Sequence, residues 1–424
     1  SKNVIFASNL ALIAGDTNNH IDVYLRTNGT PATYSVLSLP TTPGTQANGS
    51  SLTPAMSADQ SVVAFASSAT NLAAGVLGDV TNLLVRSNGS YTVASRAAAG
   101  VTAHGTASEP TMSADGRFVV FTSSGTDVTT TDFDPTLDVY RYDRVTGTSV
   151  LVSVGVEVTA YRADVSDDGR RVVFVSPGPV PAALGLDNVT NTFDQVFVRD
   201  ITAGTTTAVS QKASGVPSNQ VNLNPRISGN GRFVVFQSFA SDLIAGDTNA
   251  NGDVFVRDLQ TGTIERVSLT STGAQATGAN NDSEMAPDIS FDGRYVTWMS
   301  TATNVVPGAT TNDFRIYRRD RQTSQTQLVA SGLNPSISDD GRFITFESFA
   351  TDVVGGDTNG LRDVFVKDVV GGTVTRVSVA TGDVQALGGI SFDAQISGNG
   401  RWVVYQSNAT NLVGGDTNGR ADSF

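Results

Sequence analysis

The chain has 424 residues, 40 acidic against 27 basic for a formal charge of −13, and no cysteine. That excludes disulfides, thiolate metal sites and covalently attached haem, and it disfavours nucleic acid and anionic membrane as partners while favouring cations. No apolar run reaches the roughly 18 residues of a membrane helix, and only 16% of residues are charged in a chain rich in Ser, Thr, Asn and Gly, a balance common in secreted, turn-rich β proteins.

In chain order, the first predicted elements are strands at Val4–Phe6, Asp22–Leu25 and Tyr34–Ser38. They read as the second, third and fourth strands of a four-stranded unit. A short phrase of the form Ser-x-Asp/Asn-Gly-Arg then recurs at Ser57–Ser61, Ser113–Arg117, Ser166–Arg170, Ser228–Arg232, Ser290–Arg294, Ser338–Arg342 and Ser397–Arg401. Asp-Gly and Asn-Gly tolerate positive φ, so each copy predicts a tight type I′ hairpin joining a first strand to a second. Behind it come β-branched and aromatic second strands such as Phe118–Phe121, Phe233–Phe236 and Trp402–Tyr405. A polar loop follows, then a third strand such as Val254–Arg257 or Val364–Lys367, a turn such as Asp258–Gly262, and a fourth strand such as Ile264–Ser268 or Val374–Ser378.

One such sheet cannot bury both faces by itself and must stack on its neighbours. The predicted fold class is therefore all-β, a single β-propeller of four-stranded antiparallel blades over residues 1–424, with seven blades favoured and eight the alternative. The expected blades are 1–40 (completed by 393–397), 53–96, 109–154, 162–211, 224–269, 286–330 and 334–379. Residues 398–424 repeat the pattern of the first 24, with Ile13-Ala-Gly-Asp-Thr-Asn18 answered by Val413-Gly-Gly-Asp-Thr-Asn418, and so form a spare strand pair or part of an extra blade. A spare pair could add to a neighbour's sheet and so drive head-to-tail self-association into filaments or rings.

The Ser-x-Asp-Gly-Arg turn followed by Val-Val-Phe resembles the repeats of TolB-type and WD-repeat-like bacterial propellers over nearly the whole chain. The resemblance implies the fold. Propellers of this kind serve as binding platforms, peptidase accessory domains and lyases, so it implies no single function.

The loop between second and third strands carries the most chemistry. It reads Asp16, Asn18, Asp22; then Asp132, Asp134, Asp138; then Asp247, Asn249, Asp253; Asp357, Asn359, Asp363; and Asp416, Asn418, Asp422. Oxygen ligands at positions one and three of a tight loop, with a carboxylate four residues on, suit Ca2+, a hard cation that takes six to eight oxygens. The alternative is an Asx turn in which Asp and Asn cap their own backbone without metal. Asn71, Asp127, Asp242, Asn304, Asp352 and Asn411 precede short apolar stretches and are expected to cap helical turns.

Only His20 and His104 exist, which rules out a metal held by several histidines and leaves no recognisable triad. The repeated hairpin arginines are expected to flank their turns. From this regularity the chain is expected to be no enzyme but a calcium-binding scaffold, extracellular or on the cell surface, or in the periplasm. Its expected partners are protein surfaces or glycans, with no nucleic acid and no membrane insertion. The alternatives are a carbohydrate-active enzyme, glycosidase or lyase, using the central funnel, and a periplasmic TolB-like adaptor.

Overall fold

The structure, a computed structural model, describes all residues except 1–2, 10, 28–32, 77, 98–102, 133, 157, 179–191, 250, 278–284, 309–312 and 414–419. Besides one separate two-stranded hairpin of Val379–Ala380 with Val384–Gln385, the described strands form eight antiparallel blade sheets, each paired in chain order from first strand to last. They span residues 4–36, 51–93, 107–151, 161–208, 222–266, 288–331, 333–376 and 391–423, here blades 1 to 8. The expected fold class stands, all-β and a β-propeller, with eight blades in place of the favoured seven. Blades 2 to 7 have four strands, while blades 1 and 8 have three. The chain forms two compact units, Ser1–Val209 and Ser210–Phe424, with four blades in each.

The count turns on one strand. Ser391–Ile396 pairs with Val403–Ser407 through the Ser397–Arg401 hairpin, and Asp422–Ser423 pairs on the other side. The described residues of 398–424 thus belong to blade 8, whose first strand is Ser391–Ile396.

Each hairpin is built by its own side chains. In blade 3 the Ser113 hydroxyl donates to Asp115 at 2.6 Å, Asp115 accepts the Arg117 N–H at 2.9 Å, and Ser113 Oγ accepts the Phe118 N–H at 3.0 Å. The Gly116 N–H closes the turn on the Ser113 carbonyl. Only the fourth residue of the phrase takes positive φ, the glycine at +67° in Gly116 and +75° in Gly293, with Gln60 in its place at +67° in blade 2. The expected type I′ turn is therefore corrected to a type I turn followed by a left-handed glycine. Asp or Asn is required there as an acceptor, not for its tolerance of positive φ.

The core lies between consecutive blades. Phe121 and Tyr140 of blade 3 pack with Val62, Leu83 and Val85 of blade 2, and Trp298 and Tyr317 of blade 6 with Val235, Val254 and Val256 of blade 5. Second- and third-strand aromatics also stack within a blade, as Phe236–Phe255 and Phe346–Phe365 do at 6.0 and 5.5 Å. Neighbouring hairpins are tied by main-chain bonds. Ala58 N–H donates to Ala114 O and Ala114 N–H to Asp167 O in the first unit; Asn230 donates to Phe291, Phe291 to Asp339 and Asp339 to Gly398 in the second.

The hairpin arginines do flank their turns, and in blades 3 to 7 the arginine closes its blade on the last carboxylate of the third strand. Arg232 grips Asp258 bidentately at 3.0 and 2.7 Å, and Arg294 grips Asp320 at 2.9 and 2.7 Å. Arg117–Asp143, Arg170–Asp200 and Arg342–Asp368 repeat the pair. The guanidinium of Arg294 is the main reason the Asp320 carboxyl is lowered to about 2. A carboxylate depressed in the folded state contributes stability that is complete above its unfolded value near 3.9 and is lost as pH falls through its folded pKa. Arg294→Gln should accordingly melt below the wild type at pH 6, and the gap should close as pH falls toward 2. A gap of equal size at both pH values would show that the pair contributes nothing electrostatic.

Candidate cation sites in the blade loops

The acidic loops lie where the third strand begins, and one serine after each fourth strand anchors them. Ser38 donates to Asp22 Oδ1 at 2.6 Å while accepting the Val23 N–H at 2.9 Å. Ser378 does the same for Asp363 at 2.6 Å and Val364 at 3.0 Å, and Ser153 and Ser268 do so for Asp138 and Asp253. The strand-entrance aspartates are buried as a result: Asp22, Asp138, Asp253 and Asp363 are 3% exposed or less. Burial raises the carboxyl of each, to about 7 at Asp138, where the charges of Asp132 and Asp134 add to it, and to about 6 at Asp253.

Asn18, Asn249 and Asn359 do not turn their oxygens inward. Each carbonyl oxygen accepts a main-chain N–H two residues on, from His20, Asn251 and Leu361, in an Asx turn. Each amide instead reaches the entrance carboxylate, Asn18 to Asp22 at 2.9 Å and the other two at 3.5 Å, and also the main-chain carbonyl of Ala47, Ala276 or Ala386. A glutamine from the next connection braces the loop, with Gln275 donating to Asp247 at 2.8 Å and Gln385 to Asp357 at 2.7 Å.

The blades then differ in what faces the two carboxylates. In blade 5 the guanidinium of Arg266 lies 3.3 Å from Asp247 and 3.1 Å from Asp253, all three side chains being buried. In blade 7 Arg376 stands in the same place, 3.5 Å from Asp357 and 3.6 Å from Asp363. A built-in cation thus occupies the cage that the sequence pattern assigns to calcium. Blades 1 and 3 have Val36 and Leu151 at that fourth-strand position. There a third-strand tyrosine, Tyr24 or Tyr140, donates to the first carboxylate, Asp16 or Asp132, where blades 5 and 7 have Phe255 and Phe365.

Without a guanidinium, blade 1 keeps a cavity of about 180 Å³ lined by Asp16, Asn18, Asp22, Val36 and Gln46. In blade 3 carboxylate oxygens of Asp132, Asp134 and Asp138 lie within 4.8 Å of one another. The second oxygen of Asp138 is buried there with no hydrogen-bond partner. Of the last loop, Asp416 and Asn418 fall outside the described residues, and Asp422 begins the short third strand of blade 8.

The anchoring serines and the two arginines were not singled out as site residues from the sequence. Their signal was the Arg-Val-Ser ending of two fourth strands, Arg266–Ser268 and Arg376–Ser378, against Val36–Ser38 and Leu151–Ser153. The expected helix caps are corrected too. Asn71, Asp127, Asp242, Asn304 and Asn411 accept main-chain N–H groups of Asn48, His104, Asn219, Thr277 and Leu387, pinning the incoming connection of their blade. His104 is exposed and pairs with Asp127 at 2.7 Å. Among the described residues no helix is long and apolar enough to cross a membrane.

No protein-family model matches the sequence, and no curated protein matches it. Solved structures do share its architecture. An oligogalacturonate lyase from Vibrio parahaemolyticus is similar at 13% identity and a TM-score of 0.50, over 83% of this chain and 84% of that one. A prolyl endopeptidase is similar at 13% identity and 0.50, over 89% of this chain but 49% of that one. TolB from Acinetobacter baumannii follows at 11% identity and 0.38, over 88% and 79%. At such identities the likeness shows the fold alone. The expectation that the chain is no enzyme is nevertheless overturned, because the solved structures that share its architecture include a lyase and a peptidase. What these comparisons show for the chain is the β-propeller fold.

Proposed function

We propose that the chain is a calcium-carrying β-propeller that works outside the cytoplasm as a binding scaffold, with its cation held in the acidic loop of blade 3. The observation that carries this reading is the Asp132–Asp134–Asp138 cluster. Three carboxylates converge there, one buried oxygen of Asp138 has no partner, and the equivalent cage in blades 5 and 7 holds a guanidinium. An all-oxygen donor set on an irregular loop fits calcium better than magnesium, which demands a near-ideal octahedron. Few protein ligands and partial exposure fit the weak, millimolar-range affinities of extracellular modules. The cavity of blade 1, with Asp16 and Asp22 in its wall, is a second such position. In blades 5 and 7 arginine takes the metal's place. The rim so stiffened presents its loops to protein or glycan surfaces.

Calcium titration with thermal melts tests it. A ligand at a hundredfold its Kd stabilises by about 2.7 kcal/mol, so the wild type should melt higher with calcium than with chelator. Asp138→Asn should remove most of that increment. A melt indifferent to both calcium and chelator would take calcium out of the account.

A further inference from the structure

One residue of the third strand and the residue directly opposite it on the fourth strand border each acidic loop. In blades 5 and 7 these cross-strand pairs are Phe255–Arg266 and Phe365–Arg376, and in blades 1 and 3 they are Tyr24–Val36 and Tyr140–Leu151. Hydroxyl and guanidinium thus replace each other. In blade 3 the fully buried Tyr140 donates to Oδ2 of Asp132 and to the Gly125 carbonyl at 3.2 Å, while Oδ1 of Asp132 accepts the Asp134 N–H at 3.3 Å. One donor on each oxygen keeps the carboxylate from turning, and each oxygen retains a second lone pair. In blade 5, where Phe255 has no hydroxyl, Oδ2 of Asp247 is buried with no hydrogen-bond partner, and Oδ1 takes Gln275 at 2.8 Å and the guanidinium at 3.3 Å. The pairs differ in charge as well. A guanidinium offsets the charge of the cage it fills, whereas a phenol holds a carboxylate in place and leaves its charge uncompensated. In blade 3 three converging carboxylates and the unpartnered buried oxygen of Asp138 remain. Blade 6 has the pair Tyr317–Leu328 but Arg315 at the strand entrance, and there the Tyr317 hydroxyl is buried with no hydrogen-bond partner among the described residues. The hydroxyl finds its use where a carboxylate faces it.

We propose that this cross-strand pair decides which cation each cage takes, and that Tyr140 is the positioning residue that sets Asp132 for an exchangeable metal ion in blade 3. The tyrosine acts through Asp132 and not as a ligand. Hydrogen-bond partners of ligating carboxylates fix their orientation, and losing one typically weakens metal binding roughly 10–100-fold. Being neutral, the phenol does not compete with the ion, and Leu151 opposite it brings no charge of its own. This inference rests on the calcium reading of blade 3 and names the residues that govern it.

The calcium Kd is read from the rise of the melting midpoint over a calcium series, each protein referred to its own melt in chelator. The parent is Asp22→Asn, which silences blade 1; Tyr140→Phe is added to it, and then Leu151→Arg. The expected result is a Kd raised about tenfold by Tyr140→Phe. Adding Leu151→Arg should then abolish the calcium response and lift the chelator melt above that of Tyr140→Phe. A purely structural role for Tyr140 would lower the chelator melt and leave the Kd unchanged, which overturns this inference while the calcium reading stands. A calcium response that survives Leu151→Arg would overturn it too. A parent indifferent to calcium overturns the calcium reading and takes this inference with it. If the arginine variant does not fold, blade 5 decides. Phe255→Tyr added to Arg266→Met should bind calcium about tenfold more tightly than Arg266→Met alone, and equal affinities would overturn the inference.

Discussion

Gly293→Ala should be among the most damaging single-methyl additions in the protein, lowering its stability by about 3 kcal/mol. Gly293 closes the hairpin of blade 6 at φ +75°, a region that costs an L-residue about 1–2 kcal/mol. A Cβ there would also stand 2.1 Å from Cδ2 of Phe233 in blade 5. That ring cannot yield cheaply, because the guanidiniums of Arg232 and Arg321 lie 4.8 and 4.4 Å from its centre. Gly262 is the control, since its φ is +74° but nothing lies within 4 Å of a Cβ. Gly262→Ala therefore bears the backbone cost alone. Urea unfolding of the two variants separates strain from blade-to-blade packing, and equal losses would mean that the hairpin glycines are turn formers only. Gly169, Gly341 and Gly400 face Phe118, Tyr295 and Phe343 in the same way, so the result bears on how consecutive blades in each unit meet.

Arg266→Met should cost about 3 kcal/mol without added metal, and calcium should restore much of it. Removing one partner of a buried pair leaves uncompensated charge, which costs roughly 3–5 kcal/mol. Asp247 and Asp253 would be left facing each other, both side chains 2% exposed or less. The variant gives blade 5 an apolar residue at the fourth-strand position, as Val36 and Leu151 are in blades 1 and 3, and frees the carboxylate oxygens of Asp247 and Asp253. If the guanidinium stands in for a cation, the variant gains a calcium-dependent rise in unfolding midpoint that the wild-type blade 5 lacks. A loss that calcium leaves untouched would mean that arginine and metal are not interchangeable in this cage.

Much of the fold was legible because the hairpin chemistry is local. Ser, Asp and Gly within one phrase make their own hydrogen bonds, and the alternating strand behind it follows from a pleated sheet with buried faces. The blade count was not legible. Residues 394–397 read equally well as a first strand for Val4–Phe6 or for Trp402–Tyr405. The latter pairing closes a short turn, while the former must join the two ends of the chain, and the loop entropy of a short closure is far smaller. The acidic loops were legible as places needing positive charge, since three polar positions recur at fixed spacing. Which cation meets them was not.

By itself, the sequence determined the repeat unit, the order of strands within it and the oxygen-rich loop at each third-strand entrance, all of which depend on residues a few places apart. Tertiary structure alone decided that Arg266 and Arg376 face those loops, because a guanidinium 13 residues after the entrance aspartate reaches it only when the third and fourth strands lie side by side. The partner of a charge is set by which strands lie side by side, and sequence neighbours do not contain that information.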